Sequence, residues 1–500
     1  MTTDTLFTLA SVSKAFLSSS MGILMDDFAH GRNNTALPST VSRFDWDTKV
    51  ADLLPDEWKL MDEWASSKAN IRDILSHHSG LHNHDISYTA NDTAQDVVRN
   101  MRYLRPTCEL RQHFHYNNQM YMLGAHLIST YAGMPYTEFV KARIWKPLNM
   151  SETTFYASEA SRAGKVTQTW TKFGRRIPLW FTDEQVSITA GPGGVISNVI
   201  DMAKWVRMLL NGGVDPVTKA TIVPESVLAE VTTAHTIVNP RAPSSELSIS
   251  GYGMGWMRQS YRGYEFLYHG GGIHGISTGV IFLPSEGLGI VMLANADEKH
   301  GPQLTVGFRI IEDFLGLEQR EAGSYIPAIR SQSLPVVLQT PIKLRPQMLS
   351  LKRFEGTYIN PGYPNITVCA PSSDSSECEN VMNDFKLCDG VLRSSTLYAR
   401  IDNVWISHAR LHHKTGDSFA LLGTYLFPHG YGHDTTPFET WETGQFDVTA
   451  EFMVDEVDTR PSENPRVLGL GIMDLSGELT ERSWSGGSIE QRADVWFTKV

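Results

Sequence analysis

Ser11 and Lys14 stand three residues apart in "FTLASVSKAFLSSSMGILMDDF", residues 7–28. A serine hydroxyl becomes a nucleophile when a neighbouring base takes its proton, and a lysine one helical turn on shares the serine's face. Leu17, Met21, Leu24 and Phe28 follow at spacings of four, three and four, the pattern of a helix buried along one side. At the N-terminus of such a helix, free N–H groups and the helix dipole favour an alkoxide or an oxyanion. Acyl transfer needs a second proton-handling group as well. "HFHYNNQMYMLGAHLIS" offers Tyr116 and Asn118 just ahead of another helix. A tyrosine beside a lysine ammonium can act as a base, and an asparagine amide can orient a lysine or a carbonyl. "YEFLYHGGGIHG" offers His269 followed by Gly270, Gly271 and Gly272, whose backbone can approach a substrate and present N–H groups to an oxyanion. Singly, each motif has a packing explanation. Their order and context together argue for chemistry.

The elements that must position these residues are legible in outline. Met120, Leu123, Leu127 and Tyr131 mark a helix closed by Gly133, and "VIDMAKWVRMLLNGG", 199–213, marks another. In "GVIFLPSEGLGIVMLANA", 279–296, two apolar runs flank Pro284 to Gly287, which predicts an antiparallel hairpin buried on both faces. Helices and hairpin strands in one segment predict an α+β or three-layer domain over residues 1–325. Residues 326–347 fall in a proline-rich, aperiodic stretch that predicts a linker. Beyond it, Phe446, Val448, Ala450, Phe452 and Val454 alternate with polar residues, and short strands recur near "GTYI", "RVLGLGIM" and "DVWFTKV". Residues 348–500 therefore read as an all-β barrel or sandwich.

Composition narrows the function classes. With 43 basic against 55 acidic residues the net charge is −12, and no basic run stands out, which argues against nucleic acid and anionic membranes as partners. No stretch approaches the eighteen or so apolar residues of a membrane span. The opening "MTTDTLFTLAS" lacks the features of a secretory leader, so the expectation is a cytoplasmic protein, or a secreted one if a longer N-terminus exists. Cys369, Cys378 and Cys388 are spaced nine and ten apart, unlike zinc ligands, and leave room for one local disulfide. His77, His78, His82 and His84 invite a metal reading, but Gly80 interrupts the helix that would set His78 and His82 on one face. No metal site is expected.

S-V-S-K, Y-N-N and H-G-G in this order resemble the S-x-x-K, Y-x-N and K/H-x-G triplet of the serine hydrolases grouped with class C β-lactamases, DD-peptidases and related esterases. "TLFTLASVSKAF", "IRDILSHHSGL", "FVKARIWKPLNMSETTF", "GPGGVISNVIDMAKW", "GYGMGW" and "LPSEGLGIVMLANAD" look like further segments of that family, in its order, across roughly residues 5–300. "FEGTYINPGY" begins a region similar to the lipocalin-like C-terminal domain of many members, especially fungal ones.

The resemblance implies a β-lactamase/transpeptidase-like antiparallel sheet flanked by helices, with a helical subdomain, and chemistry without metal or organic cofactor. It makes Ser11 the acylated nucleophile and Lys14 its proton acceptor. Tyr116 would pass protons to the leaving group and help activate the deacylating water, and Asn118 would fix Lys14 and the acyl group. The N–H groups of Ser11 and Gly272 would form the oxyanion hole, with Gly270 and Gly271 beside the substrate. His269 stands where many β-lactamases carry lysine, and imidazole offers no fixed charge near neutral pH. The substrate is expected to be a small ester or amide, and a carboxylesterase or transesterase therefore ranks above a D-amino-acid peptidase or amidase, and both above a β-lactamase. A catalytically inactive binding or scaffold homologue is opposed by the intact Ser11, Lys14, Tyr116 and Asn118. The family carries several dozen residues before S-x-x-K, and here ten precede Ser11. The expectation is an incomplete chain, or a sheet lacking strands whose open edge favours self-association.

Overall fold

The computed structural model describes residues 1–321, 349–441, 447–455, 465–475 and 486–500. They form two compact units. The first holds residues 1–81, 91–99 and the described residues from 109 to 321; the second holds 82–90, 100–108 and the described residues from 349 onward. The segment expected as a linker, 326–347, lies outside the described residues, as does Phe446.

In the first unit, helix α1 (Ser13–Ala29) runs through the interior. Its periodicity predicts one buried side, yet Ser18, Ser19 and Ser20 are as fully buried as Leu17, Met21 and Leu24. Serine is small enough to be enclosed on the face that the pattern reads as polar. Ser18 also returns its hydroxyl proton to the Lys14 carbonyl at 3.1 Å, which satisfies it without solvent. Helix α2 (Asn118–Ala132) follows its sequence signals closely. The Asn117 side chain caps it by accepting the Met120 N–H at 3.1 Å, and Gly133 ends it. Met120, Leu123, Leu127 and Tyr131 are all buried.

Strands β1 (Thr236–Asn239), β2 (Ser250–Tyr252), β3 (Met257–Tyr261), β4 (Tyr264–Ile273), β5 (Ile276–Leu283) and β6 (Leu288–Ala294) make one antiparallel sheet whose spatial order follows the chain. The β5–β6 hairpin turns where Pro284 to Gly287 predict it. Only β5 is buried throughout; β6 is half-buried, and among the described residues it pairs with β5 alone. Two helices cover the sheet, α3 (Val199–Leu210) and α4 (His300–Leu315). Gly289 of β6 lies against Val206 of α3, whereas the adjacent Ile290 joins Phe308 and Ile311 of α4 in one cluster. Neighbouring strand residues point to opposite faces, so the sheet is sandwiched between the two helices. Phe16 of α1 meets Trp205 of α3 at 4.4 Å between ring centres, which places α1 on the α3 side.

The second unit is a closed barrel. Its elements are β7 (Gly356–Asn360), β8 (Tyr363–Cys369), α5 (Ser376–Asp389), β9 (Thr396–Ile401), β10 (His408–Thr415), β11 (Ser418–Phe427), β12 (Phe438–Trp441), β13 (Asp447–Val454), β14 (Val467–Met473) and β15 (Val495–Lys499). Eight strands pair in the order β10, β9, β8, β7, β15, β14, β13, β11, and β10 pairs with β11 to close the ring. Where β13 leaves β11 at Leu422, β12 takes over at Thr424. Val448, Ala450 and Phe452 are buried, as their alternation predicts. Inside, Phe354, Tyr358, Phe419 and Phe452 are buried together with ring centres 4.7–5.7 Å apart. Helix α5, which the sequence reading passes over, packs Val381, Met382 and Phe385 against Tyr398 and Leu426, and a Cys369–Cys378 disulfide ties it to β8. Cys388 stays a free thiol.

Three loops at one end of the barrel hold the segments 82–90 and 100–108. The His84 ring hydrogen-bonds the Tyr363 hydroxyl, Trp405 Nε1 donates to the Tyr88 hydroxyl at 3.0 Å, and the Arg105 guanidinium donates to the Glu490 and Ala493 carbonyls at 2.7 and 2.8 Å.

Gly255, between β2 and β3, has φ +82°, and a Cβ there would stand 2.9 Å from Ala15 Cα and N and from the Lys14 carbonyl carbon. Gly255→Ala is expected to destabilise the first unit by about 2–3 kcal/mol through overpacking and left-handed strain. Denaturant unfolding checks the effect.

Candidate active site

The turn bearing Ser11 is built before α1 begins. Ala10–Val12 form a short 3₁₀ turn and α1 starts at Ser13, so Ser11 lies just ahead of the helix and Lys14 in its first turn. Ala10 is fully buried and held left-handed at φ +49°, a conformation uncommon for a residue with a Cβ. Its surroundings enforce it: Leu9 donates its N–H to the Val195 carbonyl at 2.7 Å, and the Leu9 carbonyl accepts from Thr278 Oγ1 at 2.7 Å.

Strand β4 supplies the opposite wall. It pairs with β3 only as far as Tyr268 but with β5 as far as Ile273. From His269 onward one of its edges carries no strand among the described residues, and there it passes the Ser11 turn. A Cβ on Gly271 would lie 2.3 Å from the Leu9 carbonyl oxygen and 3.1 Å from Ser11 N, so only glycine admits this approach. Gly272, expected as the second oxyanion donor, is the next residue along that edge.

Lys14 is completely buried. Its Nζ donates to Ser11 Oγ at 3.2 Å, to Asn118 Oδ1 at 2.8 Å and to the Pro192 carbonyl at 2.8 Å. It also lies 4.7 Å from the centre of the Tyr116 ring and 5.3 Å from that of Tyr121. The Asn118 amide oxygen and the Pro192 carbonyl can only accept, so each holds a Lys14 N–H, and Ser11 Oγ lies within hydrogen-bond reach of the same nitrogen. Ser11, Lys14, Tyr116 and Asn118 thus meet at one amine.

His269 is nearly fully buried, and both its nitrogens are engaged. Nδ1 lies 2.7 Å from the Gly270 carbonyl, which can only accept, so Nδ1 carries the proton and Nε2 accepts from the Tyr252 hydroxyl at 3.0 Å. The Tyr252 hydroxyl lies 3.4 Å from that of Tyr121, which donates to the Leu75 carbonyl at 2.6 Å. Burial, and then the Lys14 charge, push the His269 imidazole down to about 3, so it is neutral at physiological pH. The Tyr116 and His269 rings are 6.4 Å apart.

Sequence reasoning did not single out Pro192, Tyr252 or His300. A carbonyl contact has no residue signature, Tyr252 lies inside the quoted "GYGMGW", and His300 reaches the site from α4: a Cβ on Gly272 would stand 2.9 Å from its Nε2. Among the described residues no three His, Cys, Asp or Glu side chains form a group able to hold a metal ion. No described helix is long and apolar enough to cross a membrane.

A buried lysine aimed at a serine, with a tyrosine and an asparagine beside it on a helix-covered antiparallel sheet, defines a serine hydrolase. A family model described as Beta-lactamase matches residues 1–311, and the chain belongs to the beta-lactamase family. Unguisins hydrolase ungD' of Aspergillus campestris is 27% identical over 393 residues, 74% of this chain and 69% of that protein. Unguisins hydrolase ungD of Aspergillus violaceofuscus is 32% identical over 338 residues, 63% of this chain and 57% of that protein. Among solved structures, the octameric penicillin-binding protein homologue from Pyrococcus abyssi shares the fold at a TM-score of 0.53 and 18% identity, covering 91% of this chain and 86% of that one.

Burial and neighbouring charge depress several histidines, among them His269 to about 3, His115 and His408 to about 4 and His77 well below its usual value, against about 6.5 when unfolded. The unfolded chain therefore binds protons that the fold excludes. Their contribution to stability is complete above about pH 6.5 and is lost as pH falls toward the folded values, at about 1.4 kcal/mol per pH unit for each. Chemical denaturation between about pH 7 and pH 4 should show this slope, and His269→Gln should reduce it by one proton; an unchanged slope contradicts the assignment.

Proposed function

We propose that this serine hydrolase cleaves uncharged esters through a Ser11 acyl-enzyme. The observation that carries the reading is the Lys14 arrangement, in which two pure acceptors fix the amine within hydrogen-bond reach of Ser11 Oγ. As the free amine, Lys14 presents a lone pair there and takes the serine proton while Oγ attacks the acyl carbon. The N–H groups of Ser11 and Gly272 receive the oxyanion, which preorganised backbone donors stabilise without reorganising. Tyr116 relays the proton to the departing alkoxide, and water then enters by the reverse route to release the acid.

The neutral His269, with both nitrogens engaged, supports uncharged acyl donors over D-amino-acid peptides that end in a carboxylate, and over β-lactams. A second reading comes from the two relatives named as hydrolases of unguisins, which make an unguisin the other candidate substrate. The Cys369–Cys378 bond favours an oxidising compartment over the cytoplasm.

A substrate panel tests the proposal: a short-chain nitrophenyl ester, an unguisin, a D-Ala-D-Ala peptide and a cephalosporin, each with and without an alcohol acceptor. The ester is expected to give the highest kcat/KM, the ratio that measures discrimination. Faster cleavage of the peptide or cephalosporin rejects the ester reading, and a faster unguisin replaces it. Ser11→Ala should abolish turnover and the acyl adduct seen by mass spectrometry. Lys14→Ala and Tyr116→Phe should lower kcat by about 10²–10⁴.

A further inference from the structure

Tyr116 lies in a stretch without regular structure, residues 114–117, yet a proton-transfer group has to be held within hydrogen-bond reach of its partners. One buried residue holds this stretch on both sides. The His77 carbonyl accepts the His115 N–H at 2.9 Å, and His77 Nδ1 accepts the Asn117 N–H at 3.1 Å. The residues either side of Tyr116 are thus tied to a single partner. The His77 ring also packs against the Tyr116 ring, 4.3 Å between centres at a tilt of 40°, with Tyr252 and Tyr121 at 4.8 and 5.2 Å.

His77 holds this position against two local penalties. Its backbone is left-handed at φ +59°, which is uncommon for a residue with a Cβ. Its Nε2 is buried and has no hydrogen-bond partner among the described residues. Because Nδ1 accepts and the ring is neutral, Nε2 carries the proton, so a donor is left unmet. Local penalties gathered on one residue beside a reaction centre indicate a demand set by that centre.

We infer that His77 is a positioning residue: it sets Tyr116 against Lys14 and Ser11, and its influence on catalysis runs through Tyr116. The inference rests on the proton-relay role proposed for Tyr116. It assigns the ring a packing surface for the phenol and Nδ1 the task of fixing the Asn117 N–H, where the chain turns into α2. Phenylalanine at 77 keeps the surface and loses the acceptor. Asparagine keeps an acceptor, tolerates positive φ and loses the surface.

A double-mutant cycle on ester hydrolysis isolates the effect: the wild type, His77→Phe, Tyr116→Phe and the double variant, with folding checked by circular dichroism and thermal unfolding. His77→Phe is expected to lower kcat about 10–100-fold while KM stays within about threefold, the signature of an interaction used in the transition state. In the Tyr116→Phe background the same change should cost less than about threefold, because the group through which His77 acts is already gone. If His77→Phe does not fold, His77→Asn takes its place in the cycle with the same expected loss of effect beside Tyr116→Phe. An undiminished effect in that background, or a change confined to KM, overturns the inference. An unchanged kcat for Tyr116→Phe alone overturns the relay role, and the inference with it, and is distinguished by that single variant.

Discussion

A lysine amine cannot be buried unless its hydrogen-bonding positions are met, and that requirement organises the first unit. Lys14 meets it with the turn at Ser11, the first residue of α2 at Asn118 and the carbonyl of Pro192, partners 104 and 178 residues further along the chain in the last two cases. The rings of Tyr116 and Tyr121 lie close around the same nitrogen. Secondary structure alone would not bring these groups together. The sheet presses Gly271 against the Ser11 turn from one side and Gly255 against the first turn of α1 from another. The catalytic arrangement and the packing of this unit are therefore one set of contacts.

That coupling explains what the sequence discloses. Ser11, Lys14, Tyr116, Asn118 and the glycines after His269 are legible because the chemistry restricts residue types and they sit where helices begin or a strand loses its partner. Helix α2 is legible down to Gly133, since its caps are local. The enclosure of α1 is not, because periodicity treats Ser18, Ser19 and Ser20 as solvent-facing, whereas their small size lets other elements close over them. Helix α5 escapes notice because "SECENVMNDFKLCD" mixes acidic residues and cysteines with few apolar positions, and its stability draws on Tyr398, Leu426 and a disulfide. Alternation announces the strands of the barrel. It carries no information on which strand pairs with which, so ring closure between β10 and β11 waits for the structure.

The electrostatics around Ser11 are simple. His269 and His77 are both kept neutral by burial, and the Tyr121 and Tyr252 hydroxyls are pushed above their usual range for the same reason. Lys14 is the amine at the centre of this enclosure, and an ammonium formed there acts at higher effective strength than one in water. On the mechanism proposed for Ser11, such a site separates the protonation step from recognition, since the groups that would move the proton are held by the protein and not by the substrate.

Four buried aromatic rings meet inside the barrel. With Phe354, Tyr358, Phe419 and Phe452 buried against one another, a substitution among them registers as lost or gained stability before it registers as anything else. The loops around Tyr363, Trp405 and Glu490 hold the segments 82–90 and 100–108, and they bury Tyr363, Ile406 and Ala493 in doing so. Across descendants of this gene the buried rings and the anchors of these loops should drift slowly and the exposed turn 432–437 quickly, so novelty in this half of the protein would be written where nothing packs.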